Sequence, residues 1–179
     1  MDHRQPLPRL WLMTDERLGH ALPAAVECLP EGAGIVFRHY RTERGERRRV
    51  FDLVRARRAD VMLLLGGRDD DARAWGADGS HGPGPGAGLR TAPVHDFREL
   101  REAQDAGAAA VFVSPVFATR SHPGAAVLGE EGFAALAAEA RVPVIALGGM
   151  DAARFASLRG AYGWAGIDAW LKQARGKGA

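Results

Sequence analysis

Short apolar segments recur along the chain, and most of them are apolar throughout instead of alternating with polar residues. Uninterrupted apolar runs are typical of strands that are buried on both faces of a parallel sheet. The pattern predicts eight strands, five from strong runs and three from weaker ones. The strong runs are residues 9–15, 33–39, 59–67, 108–117 and 142–150, and the weaker ones are residues 77–82, 90–96 and 161–170.

Segments with helical character separate these strands. They are residues 21–29, 48–58, 69–76, 97–107, 130–140 and 151–160, and Gly107 and Gly160 end two of them as helix stops. Strict alternation of strand and helix predicts parallel strands joined by right-handed crossovers. Eight such units favour an α/β fold of the (β/α)₈ or TIM-barrel type.

The chain has 179 residues, which is short for this barrel, so we expect a compact version with shortened helices. Residues 80–90 (SHGPGPGAGLR) are expected to form a loop in place of one helix. The alternative fold is an open doubly wound sheet. That fold needs a glycine-rich turn after the first strand, and residues 13–19 (MTDERLG) do not supply it.

The length allows one sizeable core and not two ordinary domains. We therefore expect a single barrel domain at residues 9–172, an N-terminal extension at residues 1–8 and a C-terminal tail at residues 173–179.

Composition narrows the class of protein. There is no run of 18 apolar residues, so no membrane-spanning helix is expected, and the start MDHRQPLPRL lacks the apolar core of a signal peptide. The single cysteine, Cys28, excludes an internal disulfide and fits a cytoplasmic protein, in which it would be a small core residue. The formal net charge of +2 indicates no strongly charged partner.

An arginine-rich stretch at residues 41–58 is the one candidate for a nucleic-acid surface, because it holds eight arginines. Glu43, Glu46 and Asp52 interrupt the run, and no aromatic platform accompanies it. This pattern favours a solvated helix face, so no nucleic-acid partner is expected.

Glycine-rich turns follow the last two predicted strands, at residues 147–150 (LGGM) and 164–168 (WAGID). In a barrel, chemistry takes place at the C-terminal ends of the strands, and phosphate is commonly held by the loops after strands seven and eight. Glycines there let backbone N–H groups approach an anion. The candidates for phosphate binding are Gly148, Gly149, Gly166 and Ile167, although such glycines also occur in simple tight turns.

Several segments occur in an order that resembles the thiamine phosphate synthase and thiazole tautomerase family. They are RLWLMTD (9–15), Arg38 at the end of strand two, GADGSH (76–81), GAAAVFVSPVFATRSH (107–122) and VPVIALGGM (142–150). The resemblance covers about residues 9–170 and implies the same barrel fold. It also implies a magnesium-dependent reaction that joins hydroxymethylpyrimidine diphosphate to a thiazole phosphate and releases diphosphate.

The resemblance assigns roles to particular residues. Arg38 would contact the diphosphate, and Thr119 and Ser121 would bind substrate. His122 takes the place of a family lysine, so it is either a catalytic cation or proton donor facing phosphate, or a residue that shapes a turn. Asp15 and His81, at the ends of strands one and four, are expected to support the site by hydrogen bonds. His39 and His95 could face either the helices or the site.

Other family positions are different in this chain. Tyr40 replaces a lysine, residues 66–68 (GGR) replace N-D-R, and residues 82–85 (GPGP) replace G-Q-E-D. Pro115 stands where the tautomerase branch has its catalytic histidine, and Asp168 replaces a small residue beside the phosphate. Two carboxylates that bind magnesium in the family are thereby lost, so we predict no metal site.

Three consecutive carboxylates, Asp69, Asp70 and Asp71, could replace these ligands, but the pattern favours the first turn of the following helix.

Three functions stay open at this point. The first is a thiamine phosphate synthase-like protein of thiamine biosynthesis that acts on small phosphorylated substrates, with reduced turnover because stabilising charges are missing. The second is a degenerate barrel that binds a small phosphate ligand, and the third is an interaction subunit. The first is the function that we favour. The resemblance is also compatible with a homodimer.

Overall fold

The computed structural model describes residues 6–119, 124 and 126–176. It is a closed barrel of eight parallel strands in sequence order. The strands are β1 (Leu10–Met13), β2 (Gly34–Phe37), β3 (Met62–Gly66), β4 (Gly79–His81), β5 (Arg90–Val94), β6 (Ala110–Val113), β7 (Val144–Leu147) and β8 (Gly163–Gly166). Because β8 pairs with β1, with Leu12 opposite Gly166, the sheet is not open. The predicted barrel and its eight strands are confirmed.

Seven α-helices lie around the barrel in the described part of the chain. They are α1 (Leu22–Glu27), α2 (Arg44–Arg57), α3 (Asp69–Trp75), α4 (Phe97–Asp105), α5 (Gly129–Glu139), α6 (Ala152–Ser157) and α7 (Asp168–Gly176), and a short 3₁₀ helix (Glu16–Ala21) precedes α1. The helices α1 and α6 have only 6 residues each, as expected for a compact barrel. The expected loop between β4 and β5 is also present.

Helix α7 is the element that the hydrophobic pattern did not predict. Residues 161–170 were expected to be a strand, but β8 ends at Gly166 and α7 begins at Asp168. The apolar residues Trp164 and Trp170 were the reason for predicting a single strand. Trp164 lies in β8 and Trp170 in α7, and the two rings stack on each other with centroids 5.1 Å apart. Trp170 also donates to the carbonyl of Trp11 at 2.9 Å, so its apolar character comes from packing of helix on strand.

Two apolar layers fill the molecule. One lies between the strands and the helices, and the other fills the inside of the barrel around Trp11, Met13, Leu64, Phe112 and Ile145. A Cβ on Gly34 would lie only 2.2 Å from the Trp11 ring, so this glycine makes room for the indole. The inside of the barrel is thus a packed core.

A buried arginine bridges the loop after β4 and helix α4, where the helix between β4 and β5 is missing. Arg90 is 3% exposed and donates to the carbonyls of Gly82, Ala103 and Ala106. The last two carbonyls lie at the C-terminal end of α4, where a cation is favourable. Above it, Asp69 accepts from the backbone N–H of Ala87 at 3.1 Å and holds the connecting loop.

No helix among the described residues is long and apolar enough to cross a membrane.

Candidate functional site

A cavity of about 1280 Å³ opens at the C-terminal ends of the strands and continues along α7 as far as Leu10 and Pro30. Most of the predicted site residues line it. They are Arg38, His81, Thr119, Gly148, Gly149, Gly166 and Ile167. The predicted residues Ser121 and His122 lie outside the described residues. The barrel thus brings together residues from five separate parts of the sequence.

Arg38 follows β2 and is held by the loop after β1. Its Nε donates to the Thr14 carbonyl at 2.9 Å, and its Nη2 lies 3.3 Å from a carboxylate oxygen of Asp15. A guanidinium has five N–H donors, and these bonds engage two of them.

Asp15 contacts the cavity through Arg38 and is also paired with Arg17 at 2.6 Å. Burial raises the pKa of the Asp15 carboxyl, but the hydrogen bonds and charges of Arg17 and the charge of Arg38 outweigh it and hold the pKa below its ordinary value. Asp15 is therefore ionised and neutralises part of the positive charge of Arg38 and Arg17.

His81 ends β4 inside the barrel mouth. Its Nδ1 lies 2.9 Å from the hydroxyl oxygen of Thr91, and its ring meets the ring of Phe112 edge to face. Burial, together with the charges of Arg38 and Arg90, lowers the pKa of His81 to about 3. At neutral pH the imidazole is uncharged, so it can form hydrogen bonds but cannot supply a countercharge to phosphate.

The turn after β7 needs its two glycines. Gly148 and Gly149 have φ angles of +98° and +61°. A Cβ on Gly149 would lie 2.7 Å from the carbonyl oxygen of Ala118, and one on Gly148 would lie 2.8 Å from the Cα of Pro115. Both glycines therefore allow this turn to pack closely against the loop after β6.

Arg154 was not found by sequence reasoning, although it lines the cavity beside this turn. Its guanidinium donates to the carbonyl of Gly149 and lies 4.6 Å above the Phe117 ring. Asp151 caps α6 by accepting from the Arg154 backbone N–H, which fixes the arginine in the first turn. A cap residue followed by a basic residue three positions later was the signal available in the sequence.

The turn after β8 leads directly into α7. Gly166 and Ile167 line the cavity just before this helix, which begins with Asp168. Asp168 lies close enough to Arg17 for its charge, together with the larger contribution of Asp15, to raise the pKa of Arg17. The positive end of α7 and a partly neutralised carboxylate thus adjoin the glycine turn.

The carboxylates of residues 69–71 form the first turn of α3, as the sequence favoured. Each has an arginine partner: Asp69 and Asp70 pair with Arg73, and Asp71 pairs with Arg44. Magnesium prefers several oxygen ligands in octahedral geometry. Within the described ranges no three His, Cys, Asp or Glu residues are grouped closely enough to hold a metal. The described residues therefore offer no ready-made cluster of ligands for magnesium.

The remaining histidines differ in environment. His39 is buried against Phe37, whereas His95 is exposed, lines the cavity and lies 2.7 Å from a carboxylate oxygen of Glu99. Of these two histidines, for which the sequence left the direction open, His95 lines the cavity. Cys28 is buried in the core, as expected.

The arginine-rich stretch becomes α2 and its C-terminal cap. Most of its arginines pair with nearby carboxylates, among them Arg48 with Asp52 and Arg55 with Asp78. One aromatic ring from elsewhere in the sequence does meet these arginines, because Trp75 of α3 lies under Arg44, Arg47 and Arg48. This ring is distant in sequence and mostly buried, so it serves packing between two helices.

Comparison with known proteins agrees with this architecture. The family model described as "Thiamine monophosphate synthase" matches residues 90–170. The chain is 30% identical, over 84% of its length and 78% of the relative's, to a thiamine-phosphate synthase of Chloroflexus aurantiacus. It is also 30% identical, over 93% of its length and 99% of the relative's, to a protein of Aquifex aeolicus provisionally named thiamine-phosphate synthase 2.

Among solved structures, a thiamine phosphate pyrophosphorylase from Pyrococcus furiosus superposes with a TM-score of 0.75 at 25% identity. The match covers 95% of this chain and 94% of that one.

Proposed function

Because this chain belongs to the thiamine-phosphate synthase family, we propose that it joins hydroxymethylpyrimidine diphosphate to a thiazole phosphate and releases diphosphate. The observation that supports this proposal most directly is the shared cavity, which Arg38, Thr119 and the two glycine turns line together. A cation and backbone turns at one mouth suit a pair of phosphorylated substrates.

The glycine turns and the start of α7 would hold the thiazole phosphate through backbone N–H groups. Arg38 would face the diphosphate of the other substrate. In the reaction, the bond between the pyrimidine methylene carbon and the diphosphate oxygen breaks, and diphosphate leaves with the electron pair. The ring nitrogen of the thiazole donates its own pair to that carbon. Arg38 stabilises the charge that develops on the leaving group.

We expect slow turnover, because Gly67 and residues 82–85 lack the carboxylates that the family uses and Tyr40 lacks the charge of a lysine. Removal of one group that stabilises a developing charge commonly costs about 10²–10³ in rate. Several such losses should leave a rate far below that of a relative with a complete site.

A second candidate function is a barrel that binds one small phosphate ligand without turnover. The pairing of Asp69, Asp70 and Asp71 with arginines favours it, because none of these carboxylates is available to take over the lost metal-binding role without breaking an ion pair.

An assay with both substrates distinguishes the two functions. Thiamine phosphate should form at a low rate that can be measured by mass spectrometry, and Arg38→Met should lower it about 100-fold. Arg101→Met is the matched control, because Arg101 lies on α4 and only its bond to the Phe97 carbonyl is lost. If no product forms while calorimetry detects thiazole phosphate binding, the second function is correct.

A further inference from the structure

Tyr40 is unusual in the cavity lining, because it is a large aromatic residue that is 59% exposed. We propose that its ring is the surface on which an uncharged planar heteroaromatic ring of the phosphorylated ligand stacks. We also propose that Gly66 lacks a side chain because Tyr40 occupies that space. The stacking role rests on the proposed function and makes Tyr40 a residue that determines which ring is accepted.

The backbone has an unusual conformation at His39, between the end of β2 and Tyr40. His39 has a φ angle of +40° and is the one residue other than glycine with a positive φ in the part of the chain that is described. Residues with a Cβ rarely adopt this conformation. His39 is held in it by a parallel stack on Phe37, with centroids 4.5 Å apart, and by its Nδ1 at 3.1 Å from the Thr14 hydroxyl oxygen.

The turn places the phenol end of Tyr40 over the last residue of β3. A Cβ on Gly66 would lie 2.6 Å from the Tyr40 hydroxyl oxygen and 3.0 Å from its Cζ. The φ angle of Gly66 is not in the left-handed region, so its backbone conformation does not require glycine. The Phe37 carbonyl oxygen, at 3.1 Å, is the next contact, so the phenol of Tyr40 is the group that leaves the least room for a side chain at this position.

Arg47 fixes the charge environment of the ring. Its guanidinium lies 5.5 Å from the Tyr40 ring centroid and donates to the carbonyls of Arg38 at 2.9 Å and Gly66 at 2.6 Å. A cation over an aromatic ring is attracted to the negative π face of that ring. A positively charged ring stacked on Tyr40 would be repelled by the Arg47 guanidinium, whereas an uncharged ring such as a pyrimidine would stack favourably. Both substrate rings are uncharged, and the pyrimidine is the expected partner because its diphosphate would face Arg38, two residues before Tyr40.

The chain offers a direct spectroscopic test, because it contains only two tyrosines. Tyr162 precedes β8 at the opposite end of the barrel, where its hydroxyl donates to the Leu7 carbonyl at 2.7 Å. We would label the protein with ¹³C-tyrosine and titrate it with hydroxymethylpyrimidine diphosphate or with inorganic diphosphate. The pyrimidine compound should shift the ring signals of Tyr40 by ring current and leave Tyr162 unchanged, and inorganic diphosphate should give a much smaller shift at Tyr40.

Calorimetry of variants measures the contribution of the ring. Tyr40→Leu should weaken binding of the pyrimidine diphosphate about tenfold and leave binding of inorganic diphosphate unchanged. Tyr40→Phe keeps the ring and should bind as the parent does. Gly66→Ala displaces the phenol without touching Tyr40 itself, so it should reproduce the loss seen in Tyr40→Leu.

Two results would overturn the inference separately from the proposed function. If the pyrimidine diphosphate binds but the Tyr40 signal is unmoved, or if Tyr40→Leu binds it equally well, the stacking role is wrong while the proposed function stands. If neither compound binds the parent protein, the proposed function fails and the inference fails with it.

Discussion

The two sides of the cavity mouth are built on different principles. On the β7–β8 rim, which comprises residues 147–150 and 164–168, the contacts to a ligand would come from glycine turns and the start of α7. On the β2–β4 rim, which comprises residues 38–40, 66–71 and 81–88, most charged side chains already have a partner of opposite charge within the protein.

This difference means that the two rims depend on the amino-acid sequence in different ways. A backbone N–H is supplied by every residue except proline, so an anion site made of turns depends on conformation more than on side-chain identity. A site made of side-chain charges is lost when those side chains are replaced. The proposed phosphate site on the β7–β8 rim therefore depends on the conformation of its glycine turns, while a ligand on the β2–β4 rim would meet side-chain charges that are already paired.

The largest effect is expected from a charge placed on the β7–β8 rim. A Cβ on Gly166 would be no closer than 3.3 Å to any neighbouring atom, so this glycine tolerates a small side chain better than Gly149 does. Gly166→Asp should weaken binding of thiazole phosphate about 100-fold or more, because a carboxylate near a dianion is strongly repelled. Isothermal calorimetry measures the affinity.

Gly166→Asn is the matched control for that experiment, since it has the same shape without the charge. It should retain most of the affinity. Equal losses in the two variants would show that sterics, not electrostatics, dominate at this rim, and full affinity in Gly166→Asp would place the phosphate elsewhere.

A second prediction concerns His81, which ends β4 and belongs to the β2–β4 rim. Its pKa is about 3 in the folded protein, against 6.5 for the unperturbed residue. As the pH falls below 6.5 the unfolded chain binds a proton that the folded protein does not, so stability decreases. Between pH 7.5 and pH 5 we expect a loss of about 2 kcal/mol, measured by urea denaturation.

The variant His81→Gln removes this titration and should flatten the pH dependence, even though it has its own cost in stability. The buried His39 also has a pKa lowered by burial and contributes in the same direction. Asp15 and Glu16 have lowered pKa values, so they contribute stability that is lost only near pH 4 and below. An unchanged slope in His81→Gln would contradict the assignment to this residue.

A smaller effect is expected when a carboxylate is placed on the β2–β4 rim at Gly67. Gly67 has a φ angle of +130°, which strains any residue with a side chain, but its surroundings are open and the loop can relax. Gly67→Asp should therefore lose on the order of 1 kcal/mol in stability. Gly67→Ala should lose about as much. A much larger loss in the aspartate variant would point to charge repulsion in place of backbone strain.

The smallest effect is expected from magnesium itself. Because the carboxylates of residues 69–71 are paired with arginines, addition of millimolar MgCl₂ to the protein alone should leave its melting temperature unchanged. Calorimetric binding in the micromolar range would show that these ion pairs open to accept the metal, and the two rims would then be less different than the structure indicates.

Much of the fold could be predicted because it depends on local patterns. Each buried strand, such as residues 62–66, is a short apolar run, and the helices carry caps such as Asp96 and Asp151. Helix α7 was not predicted, since the apolar residues Trp164 and Trp170 carry the same signal whether they lie in a strand or on a helix face. Their stacking across two elements is a tertiary contact.

Some features of the candidate site could likewise be predicted from the sequence, and others could not. The sequence by itself determined the eight-fold alternation of strands with connecting segments and the glycine turns after β7 and β8. Residue type and order are sufficient for these features, because periodicity and turn chemistry act over a few neighbouring residues. Only the tertiary structure decided that Arg154 reaches the Gly149 turn and that Tyr40 fills the space above Gly66. Closure of the barrel brings residues separated by many positions into contact, and the burial and neighbouring charges that follow set the pKa of His81 and the ion pairs of Asp15.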